Sequence, residues 1–253
     1  MTHTPTFMKK TLLALSVASL SILSTQLLAE QAPLKKTYNE PTRGFFLEHG
    51  MVADSGKASA ELFTGSGELY TGGGIRLGLS NSEIIFNSGL KGPDNNQVLL
   101  KWSLPRQSSD GKEQTPLIWS GLLGLGHTNI ESDNNNRFER TDFTLGIAAT
   151  IKADAGLFTA SPKLVHSNGS GVDGDTFVEL DLGAYVGIIE TDSGLFSVGA
   201  EALITTADNT DNTIAVGGRW LYNERINLDI VPFVFSNSDL VGIPGIVRLN
   251  IAF

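Results

Sequence analysis

Apolar and polar residues alternate along most of the chain between positions 58 and 253. The last segment, 245–253 (GIVRLNIAF), is the clearest, because every second residue from Val247 to Phe253 is apolar while Arg248 lies on the opposite face. A period of two is the pattern of a β-strand with one apolar face. The alternating segments cover 58–64, 74–80, 83–90, 97–104, 116–126, 141–151, 156–166, 177–188, 195–204, 214–222, 226–235 and 245–253. At about ten residues each, most are long enough to cross a bilayer when tilted.

The connections between these segments differ in length in an ordered way. Counting back from the C-terminus, long connections (236–244, 207–212, 167–175 and 128–140) alternate with tight ones (223–224, 191–193 and 152–155). Short turns on one side and long polar loops on the other are typical of a transmembrane antiparallel up-and-down β-barrel. The sequence therefore predicts an all-β barrel of about 12 strands. The long connection 105–116 falls on the short-turn side, which leaves 10 or 14 strands open.

Aromatic residues give a second indication of the same fold. Seven of them fall at the short-turn ends of their segments: Trp102, Trp119, Phe158, Phe196, Trp220, Tyr222 and Phe253. Aromatic girdles mark the two interfaces of a membrane barrel. A general preference of aromatic residues for strand ends is the alternative explanation.

The N-terminal residues 1–29 read as a signal peptide. Lys9 and Lys10 precede the apolar stretch 11–23, and Ala29 offers a small residue for cleavage. The stretch is shorter than the ~20 residues that a membrane-spanning helix needs, which argues against an anchor. Residues 30–57 are predicted to be a periplasmic tail or a plug in the lumen, and residues 58–253 the barrel.

Composition narrows the possible functions. The net charge of −9 argues against nucleic-acid binding, and the absence of cysteine excludes disulfides and thiolate metal sites. With four histidines in the chain, no metal site and no cofactor is predicted. The mean hydropathy of +0.02 is what an apolar outside and a polar inside average to.

The Lys9–Lys10 start, the even set of alternating strands and the terminal VRLNIAF together resemble bacterial outer-membrane β-barrel proteins as a class. No particular family is indicated. The resemblance implies a location in the Gram-negative outer membrane, in contact with its lipid. It also implies export past periplasmic chaperones, and insertion by the barrel-assembly machinery, which would read Val247, Leu249, Ile251 and Phe253 as a C-terminal signal.

The polar faces of the strands supply the candidate functional residues, because in such a barrel they line the lumen. The predicted lumen-lining set is Arg76, Lys101, Asp142, Lys163, Glu179, Asp181, Glu201, Arg219, Asp229 and Arg248. These groups could line a water-filled path or pair across the lumen and close it. Gly183, Gly187 and Gly217 leave space inside or relieve crowding in a bent sheet.

The predicted function is a narrow passive channel for small polar solutes, without catalysis. A structural or surface-interaction barrel with a closed lumen is the first alternative. A lipid-acting enzyme is disfavoured because His127 and His166 form no recognisable triad spacing.

Overall fold

The computed structural model describes residues 41–65, 71–91, 94–104, 117–131, 137–153, 156–170, 172–207, 211–223, 225–236, 239–242 and 245–253. In this part of the chain no helix is long and apolar enough to cross a membrane. The described strands are β1 (Ala58–Gly65), β2 (Thr71–Gly78), β3 (Ser82–Lys91), β4 (Asp94–Ser103), β5 (Leu117–Glu131), β6 (Arg137–Ala153), β7 (Gly156–Gly169), β8 (Val172–Thr191), β9 (Gly194–Thr205), β10 (Thr213–Leu221), β11 (Ile226–Ser236), β12 (Asp239–Gly242) and β13 (Ile246–Ala252).

Twelve of these strands close into an antiparallel barrel. Each of β1 to β11 pairs with its neighbour in sequence, and β13 pairs with both β11 and β1. The short strand β12 pairs only with the end of β11. Every one of the twelve predicted strands is therefore found, and the fold class is confirmed. Closure leaves no open sheet edge among the barrel strands, so their backbone groups pair within the wall.

The outer face of the barrel is a belt of exposed apolar side chains. Alternate residues of the barrel strands point outward, and Leu62, Leu145 and Leu249 among them are each more than a third exposed. An exposed apolar surface of this extent is far beyond the isolated patches found on soluble monomers. The buried apolar residues lie inside, in clusters that include Phe45 and Tyr185 on one side and Ile85 and Leu122 on the other.

The aromatic residues singled out in the sequence lie at the end of the barrel where the turns are tight. Trp220 is paired with Phe196 across β9 and β10, and its ring packs edge-on against Tyr222 with centroids 5.1 Å apart. Phe253 is 69% exposed and closes the seam at this end, because its N–H donates to the carbonyl of Ala58 at 2.7 Å. We call this end the short-turn end.

At the other end, three of the four predicted long loops are shorter than expected, whereas 207–212 lies between the end of β9 at Thr205 and the start of β10 at Thr213, as predicted. The predicted loop 128–140 is mostly strand, since β5 continues to Glu131 and β6 begins at Arg137. The predicted loop 167–175 is almost entirely strand, with His166 paired to Thr176 and Ser167 to Asp175. The predicted loop 236–244 contains β12. Backbone pairing needs no apolar alternation, so ladders of polar residues extend beyond the apolar belt where both faces meet water.

Some sequence predictions fall wholly or partly outside the described residues, among them parts of the predicted connections 128–140, 207–212 and 236–244. The signal peptide 1–29 and the connection 105–116 are not described, and of the segment 30–57 only residues 41–57 are.

Candidate functional site in the barrel lumen

Residues 41–53, here called the lumen segment, lie inside the barrel rather than in its wall. The chain folds back on itself there: the Gly44 N–H donates to the Leu47 carbonyl at 2.8 Å, and the His49 N–H donates to the Thr42 carbonyl at 3.1 Å. An antiparallel bridge joins Arg43 to Glu48. The lumen segment is thus a short hairpin whose two arms both lead to the short-turn end, where the second arm continues into β1.

The turn of this hairpin is held by Glu201 on β9. Its carboxylate accepts hydrogen bonds from the backbone N–H groups of Phe45 at 2.5 Å, Phe46 at 2.7 Å and Leu47 at 3.2 Å. The Tyr185 hydroxyl also donates to Glu201. A Cβ atom at Gly44 would overlap both of these side chains, so a larger residue at that position would displace them from the turn. One buried carboxylate therefore satisfies three backbone donors that the turn leaves unpaired.

Arginines of the wall bind the carbonyl groups of the lumen segment. Arg219 on β10 donates to the Arg43 carbonyl at 3.2 Å, and Arg248 on β13 donates to the Phe45 carbonyl. Asp229 on β11 orients Arg219 through two hydrogen bonds of 2.7 and 2.9 Å. The Arg219 guanidinium also lies 5.6 Å from the centroid of the fully buried Phe45 ring, within the range of a cation–π contact.

A second set of contacts joins Glu48 to the wall nearer the short-turn end. Glu48 Oε1 and Oε2 accept from Arg76 Nη2 at 2.6 Å and Nη1 at 3.0 Å, and Oε2 also accepts from Lys101 Nζ at 2.9 Å. Lys101 donates to the Thr42 carbonyl at 2.9 Å as well. Glu83 on β3 lies beside both cations, 3.0 Å from Lys101 and 3.4 Å from Arg76. Two cations and two carboxylates thus meet in a buried site that spans the lumen segment and the wall.

Burial and these neighbours set the ionisation of the lumen segment. Burial opposes the charge of Glu48, yet Arg76 and Lys101 hold the pKa of its carboxyl well below the usual range. Burial, reinforced by Arg219 and Lys101, lowers the pKa of His49 well below 6.5, so its ring is neutral inside the barrel. His49 Nδ1 lies 3.1 Å from the Pro41 carbonyl, which fits a proton on that nitrogen.

A third cluster lies on β7 and β8, beyond the lumen segment. Lys163 Nζ lies 2.7 Å from Glu179 Oε1 and also contacts the fully buried Asp181. Further out, the Ser167 hydroxyl donates to Asp142 at 2.5 Å. These groups pair between neighbouring strands.

All ten predicted lumen-lining residues lie on the inner face. Those that contact the lumen segment directly are Arg76, Lys101, Glu201, Arg219 and Arg248; Asp229 acts through Arg219, and the rest belong to the third cluster. Sequence reasoning missed the partners supplied by the lumen segment itself, chiefly Arg43, Glu48 and His49. Arg43 lies 2.6 Å from Glu61 on β1. The only feature of the sequence that could have indicated these partners is the group of charged residues and two phenylalanines in 43–48, which lies outside any alternating strand.

A cavity of about 320 Å³ opens below the lumen segment at the short-turn end. Its lining includes Arg76 and Glu83 of the buried ion-pair site, and nearer the mouth Lys57, Lys152 and Arg225, with Asp54 as the other acidic group. Cations outnumber carboxylates in this lining.

The two histidines weighed as catalytic candidates lie on the outer face of the barrel. His127 contacts Thr141 at 3.3 Å, and His166 contacts Thr176 at 2.8 Å. Within the described ranges there is no cluster of three histidine or acidic side chains that could hold a metal ion.

No protein-family model and no curated protein sequence matches the chain significantly. Among solved structures, it is similar to the NanC porin, with a TM-score of 0.46 and 11% identity over 78% of this chain and 98% of that one. It is also similar to a bacterial polysaccharide outer membrane secretin, with a TM-score of 0.42 and 8% identity over 80% and 99% of the two chains. Both likenesses are too distant to indicate a function. The closed barrel itself confirms the resemblance to porin-like outer-membrane barrels as a class.

Proposed function

We propose that the protein is an outer-membrane β-barrel channel for small polar solutes, and that the lumen segment is a plug that closes it. The observation that carries the proposal is the hairpin of residues 41–53. It lies inside the lumen, yet among the described residues it forms no backbone ladder with a wall strand. The twelve-stranded wall is complete without it. Movement of the hairpin would therefore open the lumen without breaking the barrel.

The outer apolar belt supports the membrane location. In a closed wall every backbone N–H and C=O group can pair with a neighbouring strand, as a bilayer requires. The apolar side chains then face lipid and the charged ones face the lumen. Insertion by the barrel-assembly machinery and transit past periplasmic chaperones are part of the same proposal. The seam between β1 and β13, where Phe253 lies, is the feature that supports it.

The polar inner wall supports solute passage. Once the hairpin moves, Glu61, Arg219, Asp229, Arg248 and Glu201 would face the lumen, and charged side chains on a narrow wall set the preference for small polar solutes. The described residues form paired charges rather than a nucleophile with a base, and we propose no chemical step.

Replacement of residues 43–48 by two glycines tests this function. The bond between His49 N–H and the Thr42 carbonyl brings the arms together at the base, so a two-residue turn can connect them. We expect wild-type protein in a planar bilayer to be mostly closed and the shortened variant to show steady conductance. Heat-dependent gel mobility of both proteins checks that the barrel is folded. A folded shortened variant without conductance would favour the structural barrel with a closed lumen, which the dense bonding of the hairpin also fits.

A further inference from the structure

The wall carries a built receptor for a carboxylate group. Arg76 offers both terminal nitrogens to one carboxylate and Lys101 adds an ammonium, at 2.6, 3.0 and 2.9 Å. Both cations are almost completely buried, with 3% and 0% of their side chains exposed. A bidentate guanidinium is the arrangement that fits a planar carboxylate best.

The present occupant of this receptor belongs to the movable hairpin. Glu48 supplies the carboxylate, and the Thr42 carbonyl supplies the other acceptor to Lys101. When the hairpin moves, both acceptors leave together. Among the described residues, Arg76 and Lys101 then keep Glu83 as the one carboxylate in contact with them. Glu61, which loses Arg43 at the same time, acts on Arg76 only from beyond contact distance. A buried unpaired charge is costly, so the empty site favours an incoming anion.

A path to this site exists from the short-turn end. The cavity of about 320 Å³ reaches Arg76 and Glu83 and is lined further out by Lys57, Lys152 and Arg225. Its volume is at the lower end of the range for small-molecule pockets. The excess of cations in the lining raises the local concentration of small anions.

We propose that Arg76 and Lys101 form a binding site for small carboxylate solutes, which Glu48 occupies while the hairpin is in place. The inference rests on the proposed function, since the site becomes free in the wild-type protein only when the hairpin moves. Glu48 acts as an internal competitor, so carboxylate solutes and the closed hairpin exclude each other.

Binding of propionate to the full-length, detergent-folded Glu48→Ala variant tests the proposal by isothermal titration calorimetry. Propionamide, which has the same shape without the charge, is the matched ligand control. We expect the variant to bind propionate at least tenfold more tightly than the wild type does, and to discriminate against propionamide. The double variant Glu48→Ala/Arg76→Gln should lose this affinity. The control Glu48→Ala/Arg140→Gln, which removes a half-exposed cation on the far side of the lumen segment, should keep it.

Equal binding of propionate and propionamide, or affinity that survives Arg76→Gln, would overturn the inference. If Glu48→Ala does not fold, Glu48→Ser, which also vacates the carboxylate position but keeps a polar side chain, is titrated in its place. Calorimetry needs no conduction, so the two proposals fail separately. Conductance without carboxylate binding overturns the carboxylate site alone, and carboxylate binding by a barrel that never conducts overturns the channel alone.

Discussion

Glu48 of the lumen segment and Arg76 of β2 form a bidentate ion pair of 2.6 and 3.0 Å inside the barrel. The two residues are 28 positions apart in the chain, and the pair ties a segment outside the wall to the wall itself. We therefore expect the pair to control how firmly the lumen is closed.

Glu48→Ala should open the channel. Loss of one partner leaves Arg76 and Lys101 with Glu83 as the one carboxylate in contact with them among the described residues, and breaking a buried pair costs on the order of 3 kcal/mol. That corresponds to about a hundredfold rise in the ratio of open to closed channels. Single-channel recording measures this ratio. Glu179→Ala is the control, because Glu179 pairs with Lys163 and not with the hairpin; a similar rise in both variants would refute the special role of Glu48.

Gly183→Val should also favour the open state, through steric contact rather than charge. A Cβ at Gly183 would lie 2.6 Å from Leu47 Cδ2, which is closer than real side chains approach. Overpacking of this kind costs about 1–3 kcal/mol. The test introduces Phe46→Cys both into the parent protein and into the Gly183→Val variant. The cysteine should react faster with a water-soluble maleimide in the Gly183→Val variant.

Gly126→Ala is the matched control for that substitution. Gly126 lies on the inner face of β5, where an added Cβ would have its nearest neighbour at 3.8 Å, an ordinary contact. The cysteine at position 46 should react with the maleimide at the same rate in the Gly126→Ala variant as in the parent protein. Equal rates in the Gly183→Val and Gly126→Ala variants would contradict the packing of Leu47 against β8.

The sequence predicted the strands of the barrel wall better than the segment that lies inside the barrel. Alternation in segments such as 245–253 depends only on which face meets lipid, so strands and faces could be recognised locally. Gly183 was ambiguous, because its role depends on Leu47, far away in the chain. Glu48 was missed, since residues 43–48 have no period and their partners Arg76 and Lys101 lie on strands that only the closed barrel brings together. The strand ends opposite the short-turn end were predicted as loops, because strands that are polar on both faces show no alternation of apolar and polar residues.

His49 and Glu48 of the lumen segment should each weaken closure as the pH falls, in two steps. The pKa of His49 is lowered inside the barrel, so its contribution to closure is complete above about 6.5 and declines below that pH. Arg219, Lys101, Glu48 and the Tyr185 ring surround it. The pKa of Glu48 is also lowered, so its contribution is complete above about 4.5 and declines below.

Open probability between pH 8 and 5 measures the first step. It should rise by at most about tenfold per pH unit, which is the limit for uptake of one proton. His49→Gln, which cannot take up this proton, should abolish the rise above pH 5. A rise that persists in this variant would show that another group is responsible.

Removal of the Phe253 side chain should impair assembly in cells but not the folded barrel. The side chain is largely exposed, and the β1–β13 ladder from Ser59–Ala252 to Gly65–Ile246 does not depend on it. Phe253→Ala should therefore reduce the folded, heat-modifiable fraction in outer membranes while refolding normally in detergent. Trp220→Ala, which removes another outward aromatic at the same end, should assemble normally. Equal defects in the two variants would argue against a terminal signal.

A reversible lock on the hairpin tests the central claim most directly. The chain has no cysteine, so a Leu47→Cys/Gly183→Cys variant carries a single pair. Leu47 Cγ lies 3.6 Å from the position of a Cβ at Gly183, which suits a disulfide between the lumen segment and β8. In a planar bilayer we expect no conductance from the oxidised variant and channel openings after reduction, with the Leu47→Cys single variant unaffected by reductant. Equal conductance before and after reduction would contradict a plug at residues 41–53, and absence of conductance in both states would contradict a channel.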